Sequence, residues 1–337
     1  MNGIPSGAFG HAQPGVDRLD PLSDALECLV LRSWIPGRFE LSVPWGLRVA
    51  THLGWFYLAL RTKCLLEVER GERPTTVEAG DLIIVSPGRG HSLQDKADRP
   101  TAPIQDLLKP EHFDRREPLV HGGGGAPAHL FCGCFLLEGL QQSPLHAALP
   151  TVIRVAGRAG APQPYVDHIV RLIELEAAED DPGGQSIINR LVRILYLKAL
   201  QGHLAALPAD SAGWLRALAD PDIGRALELM HARPDVPWTV AALAAHVAMA
   251  RSTLAARFTE LVGQPPLEYL THWRIRKACA LLRTTRAELK EVAAQVGYES
   301  HSAFSKAFAR WAGTAPGAYR RAGAATAHAP QICLPPM

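Results

Sequence analysis

The apolar positions follow two rhythms along the chain. Between Arg38 and Gly139 they come in short strand-like runs broken by Gly and Pro: Arg38–Val43, Gly46–Leu53, Trp55–Leu60, Cys64–Glu69, Pro74–Leu93 and Ala126–Gly139. Many short strands with turn punctuation predict a closed or sandwiched sheet. Ahead of them, Leu22, Leu26, Leu29 and Val30 share one face of a predicted short helix starting at Asp20. From Tyr165 onward the spacing becomes three and four. Tyr165–Asp180 and Ser186–Leu204 predict two helices, parted at Asp181-Pro182-Gly183-Gly184. The second is apolar around much of its circumference, which predicts burial against the sheet, a partner subunit or both. The Pro-, Ala- and Asp-rich stretch 205–220 then predicts a linker.

The last hundred residues carry one pattern twice. Val240–Phe258 and Leu289–Phe308 each read as helix, tight turn, helix. Leu243 answers Val292, Ala244-Ala245 answers Ala293-Ala294, and Val247 answers Val296. Past the turn, where the second copy has one extra residue, Leu254 answers Phe304 and Phe258 answers Phe308. The small Ala pair predicts close helix approach. The apolar stripe on each helix predicts that the second helix is held outward, as in helix-turn-helix DNA readers. Pro265-Pro266 starts a connecting helix to Arg283. Its buried stripe is Leu267, Leu270, Ile275, Ala278, Leu281 and Leu282, and Arg274, Arg276 and Lys277 form a basic face.

Charge sharpens this picture. Residues 222–321 hold 14 Lys and Arg against 8 Asp and Glu, a net of +6; the whole chain is +2, so the remainder sums to −4. Positive charge gathered in one region fits a polyanion.

The C-terminal stretch resembles the DNA-binding domain of the AraC/XylS family of transcription regulators. The resemblance rests on GQPPLEYLTHWRIRKACALL (263–282), VAAQVGYESHSAFSKAF (292–308) and GTAPGAYRR (313–321). It implies base readout by Arg251, Ser252 and Thr253 in the first motif, with Ala255 and Ala256 close to the bases. In the second motif His301, Ser302, Ser305 and Lys306 take those places. Arg257, Arg283, Arg310 and Arg320 are then placed for phosphates, which position without reading sequence. The family usually has a long polar residue where this chain has Ala256, which offers a base only a methyl group. The two turns also differ. Gly297 suits a left-handed conformation and Ser300 suits an N-cap, whereas Ala248 and Ala250 supply neither advantage.

The N-terminal half resembles the sensor domain of cupin-type members of that family. VEAGDLIIVSPGRGHSL (77–93) is similar to the second cupin motif, and VPWGL (43–47) and HGGGGAP (121–127) support it. The expectation is an α+β multidomain chain: an N-terminal cupin-like β-barrel plus a helical pair, and a C-terminal all-α domain with two helix-turn-helix motifs. The boundaries are a tail to 17, the cupin-like domain 18–160, the helical dimerisation pair 161–205, a linker 206–220, the DNA-binding domain 221–322 with motifs at about 239–260 and 288–311, and a tail from 323.

Candidate chemistry in the barrel is sparse. Metal-using cupins supply His-x-His and a carboxylate from one motif and a further His from the next. Here the second motif offers His91, while the first offers His52 alone, short of the three ligands a catalytic metal needs. No catalytic residue, metal or cofactor is expected. Cys132 and Cys134 share one face of a strand, and Cys64 lies on another. Those thiols, with His91, are the candidate effector or redox site; the alternative is that buried cysteine acts as a small apolar residue. Cys28, Cys279 and Cys333 read as structural or incidental. The Gly122–Gly125 run lacks the strand-to-helix context and the Lys of a phosphate loop. No apolar run reaches 18 residues and the N-terminus lacks a signal-peptide pattern, so a cytoplasmic location without membrane contact is expected. The expected partners are double-stranded DNA, a small-molecule or oxidant effector, a second copy of the chain, and RNA polymerase as a further candidate. The competing reading is a metal-dependent cupin oxygenase or isomerase fused to a DNA-binding domain.

Overall fold

The computed structural model describes residues 20–50, 53–69, 73–108, 117–140, 143, 145–179, 181–207 and 213–325. Most of both tails, His52, Cys333 and part of the linker lie outside the described residues.

Asp20 starts the fold. Its carboxylate accepts from Leu22 N and Ser23 N at 3.0 Å and caps α1 (Pro21–Glu27). The strands β1 (Val30–Ser42), β2 (Gly46–Val49), β3 (Gly54–Arg61), β4 (Cys64–Val68), β5 (Thr75–Val77), β6 (Leu82–Val85), β7 (His91–Gln94), β8 (Ala102–Pro103), β9 (Leu119–Gly122), β10 (Pro127–Glu138) and β11 (Val152–Val155) follow, with short helices α2 (Ile104–Leu107) and α3 (Leu145–Ala148) among them. They form two sheets, ordered β11-β6-β3-β10-β1-β9 and β5-β4-β7-β2-β8. The expected barrel is therefore an open two-sheet sandwich. The edge strands are two to four residues long and, among the described residues, do not pair across the gap, so the two sheets stay separate at both seams.

Side-chain alternation divides the larger sheet's contacts between two cores. Phe39, Leu41, Trp55, Tyr57, Leu130, Cys132 and Cys134 face the smaller sheet. Ile35, Phe56, Leu58, Phe131 and Phe135 face the other way, toward α4 (Pro164–Glu179) and α5 (Gly184–Ala206). The Gly-Asp of the cupin-like motif has a structural duty. Asp81, 2% exposed, accepts from Glu78 N, Arg154 Nε and Gly157 N at 2.8–2.9 Å and so ties β6 to the β11 segment. The four-glycine run lies flat on Ser42–Pro44. Gly123 N and Gly125 N donate to Ser42 O and Val43 O, and Gly124 N to Ser42 Oγ. A methyl group on Gly122 would sit 1.9 Å from Ser42 O, so bare backbone is required there.

The linker reading needs correction at its end. Residues Trp214–Ala219 form α6, and Trp214 is 3% exposed with its Nε1 donating to Tyr269 Oη at 2.9 Å. The rest of the domain is α7 (Pro221–Ala232), α8 (Val240–His246), α9 (Arg251–Val262), α10 (Pro266–Thr284), α11 (Leu289–Gln295), α12 (His301–Ala312) and α13 (Pro316–Ala325). Its first-motif core is continuous with the outer face of the large sheet and the α4–α5 pair. Helix α1 sits at the junction. Leu26 O accepts from Arg193 of α5 and Cys28 O from Arg283 of α10, each at 2.6 Å. Asp24 lies 3.5 Å from His231 Nδ1 and 3.9 Å from Lys277 Nζ. His231 is fully buried, stacked on Trp273, and desolvation lowers its pKa even with Asp24 opposing, so it stays neutral near pH 7.

Candidate nucleic-acid interface

Each reading head is built from its apolar stripe. In the first, Leu243, Ala244, Leu254 and Phe258 are buried; in the second, Val292, Ala293, Val296, Phe304 and Phe308 are buried. Only the first alanine of each pair does the packing, since Ala245 and Ala294 are exposed. Helix α10 joins the heads by serving both: Tyr269, Leu270 and Trp273 enter the first core, and Ile275, Ala278, Cys279 and Leu282 the second.

The turns match the difference in their residues. Gly297 has φ +81° and Ala248 has φ +52°, both left-handed. Ser300 Oγ accepts from Ala303 N, whereas Ala250 caps α9 with no side-chain bond. With the stripe turned inward, Arg251, Ser252, Thr253 and Ala256 of α9 are exposed and Ala255 and Arg257 half-buried. On the second head Ser300, His301, Ser302, Lys306 and Arg310 are exposed and Ser305 half-buried. Ser300 and Ser302 also share a hydroxyl hydrogen bond at 2.8 Å.

The basic residues divide sharply. Arg257 forks onto Asp220 at 2.6 Å and Asp222 at 3.0 Å, at the N-terminus of α7. Arg283 donates to Cys28 O and Tyr319 Oη, and Arg320 to Ala287 O. Of the four arginines placed for phosphate, Arg310 alone is exposed and without an ion pair among the described residues. The expected basic face of α10 is likewise absorbed. Arg274 donates to Pro234 O at 2.7 Å and Val236 O at 2.8 Å and lies over Tyr298; Arg276 packs over Trp311, and burial lowers its pKa to about 10. These side chains hold the two heads in place. A sequence signal for Arg257's partner existed: Asp220-Pro221 repeats the capping pattern of Asp20-Pro21.

The sandwich interior brings the other candidates together. Tyr57 Oη donates to His91 Nε2 at 2.7 Å, because His91 Nδ1 donates to Arg89 O. Burial lowers the His91 pKa to about 4. Cys64, Cys132 and Cys134 share this core, all free thiols no more than 3% exposed. Burial pushes Cys64 and Cys134 up to about 12 and Cys132 well above the ordinary value, which disfavours thiolate. Among the described residues no three His, Cys, Asp or Glu side chains converge on a metal position. No helix among them is long and apolar enough to cross a membrane.

Two outward recognition helices on one scaffold, fused to a two-sheet sensor-like domain, define a two-headed DNA-binding regulator. Residues 20–205 match the cupin family and residues 243–322 a helix-turn-helix domain family. The chain belongs to the AraC family of DNA-binding transcription regulators. It is 35% identical to an AraC-like transcription regulator of Streptomyces lividans, over 90% of this chain and 98% of that protein. It is 31% identical to the regulator AlkR of Acinetobacter baylyi, over 73% of this chain and 81% of the relative. The solved DNA-binding domain of AdpA, in complex with a target DNA, is 32% identical over 33% of this chain and 99% of that one, with a TM-score of 0.31.

Proposed function

We propose that the protein reads an operator with both heads of one protomer, in major-groove segments about one helical turn or ~34 Å apart. The observation that carries this is the outward row of polar residues on each recognition helix. Arg251, Ser252 and Thr253 serve the first head; His301, Ser302, Ser305 and Lys306 serve the second, with Arg310 on phosphate. The regulator acts in the cytoplasm without catalysing a reaction; His91, the histidine of the second cupin-like motif, has both ring nitrogens engaged. Its effector is a small molecule rather than an oxidant, because the sandwich thiols are buried and protonated. Two copies associate through Leu172 and Leu175 of α4 and Ile187 and Ile194 of α5, which are 43–57% exposed. Sedimentation as a monomer at micromolar concentration would remove that last element.

Genome-fragment selection with the purified full-length protein tests the main reading. A short sequence shared by the recovered fragments is expected. Fragments with nothing in common would mean backbone binding only.

A further inference from the structure

Large side chains occupy the space between the sheets. Phe39, Trp45, Tyr57 and Leu130 are each 2% exposed or less. A cavity of about 410 Å³ lies instead on the outer face of the larger sheet, between β1 and the end of α4. Small-molecule sites run from about 300 to 1,000 Å³. It opens beside the bulge that shifts the β1–β10 register between Trp34 and Gly37.

Its floor is apolar and its rim acidic. Ile35 and Phe131 are each 1% exposed and turn toward the helices. The rim carries Glu40, Glu117 and Glu174 against Arg38. Arg38 Nε donates to Glu174 Oε1 at 2.9 Å, which neutralises that pair. Glu40 and Glu117 make no ion pair among the described residues. Helix α4 ends beside the cavity with no cationic side chain in its last turn, so the negative end of its dipole adds to the same field. An anion there would meet Glu40 and Glu117, neither held in an ion pair among the described residues, with Arg38 already bound to Glu174. A neutral ligand would gain nothing from them.

We propose that this cleft binds a small organic cation with an apolar body, such as an alkylammonium. The apolar part covers Ile35 and Phe131, the charge meets Glu40 and Glu117, and the aromatic floor adds cation–π attraction. A bound ligand would touch both the sheet and α4, the helix that also carries exposed Leu172 and Leu175. The assignment goes beyond the regulator reading and does not depend on it.

The test is calorimetry on the full-length protein without DNA, using decyltrimethylammonium, decanol and decanoate below their micelle-forming concentrations. The cation is expected to bind about tenfold or more tighter than decanoate, the equivalent of roughly 1.4 kcal/mol. The double variant Glu40→Gln, Glu117→Gln should lose most of that preference while its melting temperature without ligand stays in place. Ala178→Trp, on the exposed rim, should fill the cleft and abolish binding of the cation. Equal binding of the three probes, no binding of any, or an unaltered preference in the double variant would overturn the assignment. Operator binding, measured separately, reports on the regulator reading alone.

Discussion

The turn of the second head should be far less tolerant than the turn of the first. Replacing Gly297 by Ala puts a methyl group 2.5 Å from Pro234 O and 2.8 Å from Arg274 Nη2. Neither neighbour is loose, since Arg274 itself donates to Pro234 O and Val236 O. The left-handed conformation costs a side-chain-bearing residue about 1–2 kcal/mol. The stiffer unfolded chain returns about 0.4–1 kcal/mol. Displacing the carbonyl weakens a charged hydrogen bond worth about 1.5–3 kcal/mol. The net expectation is a loss of about 2–4 kcal/mol. In the first head the residue is already Ala248 at φ +52°. Ala248→Gly should be neutral or stabilise by up to about 1.6 kcal/mol, from the first two terms with their signs reversed. Urea unfolding gives the size of each effect, and hydrogen exchange gives its place. Protection should fall in α11 and α12 of the Gly297 variant while α8 and α9 hold. A Gly297→Ala loss below about 0.5 kcal/mol, or an equal fall in both heads, would refute the argument that Arg274 and the 234–236 loop lock that turn.

Lys306→Ala should weaken operator binding by about 1–3 kcal/mol in a mobility-shift titration if Lys306 reads a base. An equal loss on random DNA would make it a phosphate contact instead. Asp81→Ala should cost about 3–5 kcal/mol by urea unfolding, since it leaves Arg154 and two backbone donors without their shared acceptor; a loss under ~1 kcal/mol would show that the β6–β11 tie is incidental. His91 predicts a pH dependence of definite sign. Its folded-state pKa is about 4 against an ordinary 6.5, so the unfolded chain takes up a proton first as pH falls. The stability it permits is full above pH 6.5 and declines toward pH 4, by about 3 kcal/mol in all. Unfolding of His91→Gln should lack that decline, and parallel pH profiles for the two proteins would count against a buried neutral His91.

The helices and both helix-turn-helix motifs were legible because each buries one stripe and exposes the rest, so the three-and-four spacing reports burial directly. The strands were legible where a run is unbroken, as at Trp55–Leu60. They were not where a bulge interrupts: the expected run begins only at Arg38, just after Pro36-Gly37, yet β1 runs from Val30 to Ser42. Barrel closure was illegible for a different reason. It depends on whether edge strands meet, and a run of two or three residues such as Ala102–Pro103 carries no pattern that says what lies beside it. Helix α6 was hidden by composition, although Trp214, Leu215 and Leu218 already stood at helical spacing within the supposed linker.

The positive charge of the DNA-binding domain was legible as a number and misleading as a surface. Of its 14 Lys and Arg, eight are engaged within the protein. Arg225, Arg233, Arg257 and Lys277 meet carboxylates, Arg274, Arg283 and Arg320 meet backbone carbonyls, and Arg276 is half-buried against Trp311. That leaves six, Arg251, Arg286, Lys290, Lys306, Arg310 and Arg321, all exposed. Each neutralised phosphate contributes about −0.9 to the slope of log affinity against log salt. All 14 would give a slope of about −13 per protomer, and the six about −5. The difference is large enough for a filter-binding titration between low and moderate salt. A slope steeper than about −7 per protomer would show that the internal pairs open on DNA, and that the heads are held by something other than the arginines of α10.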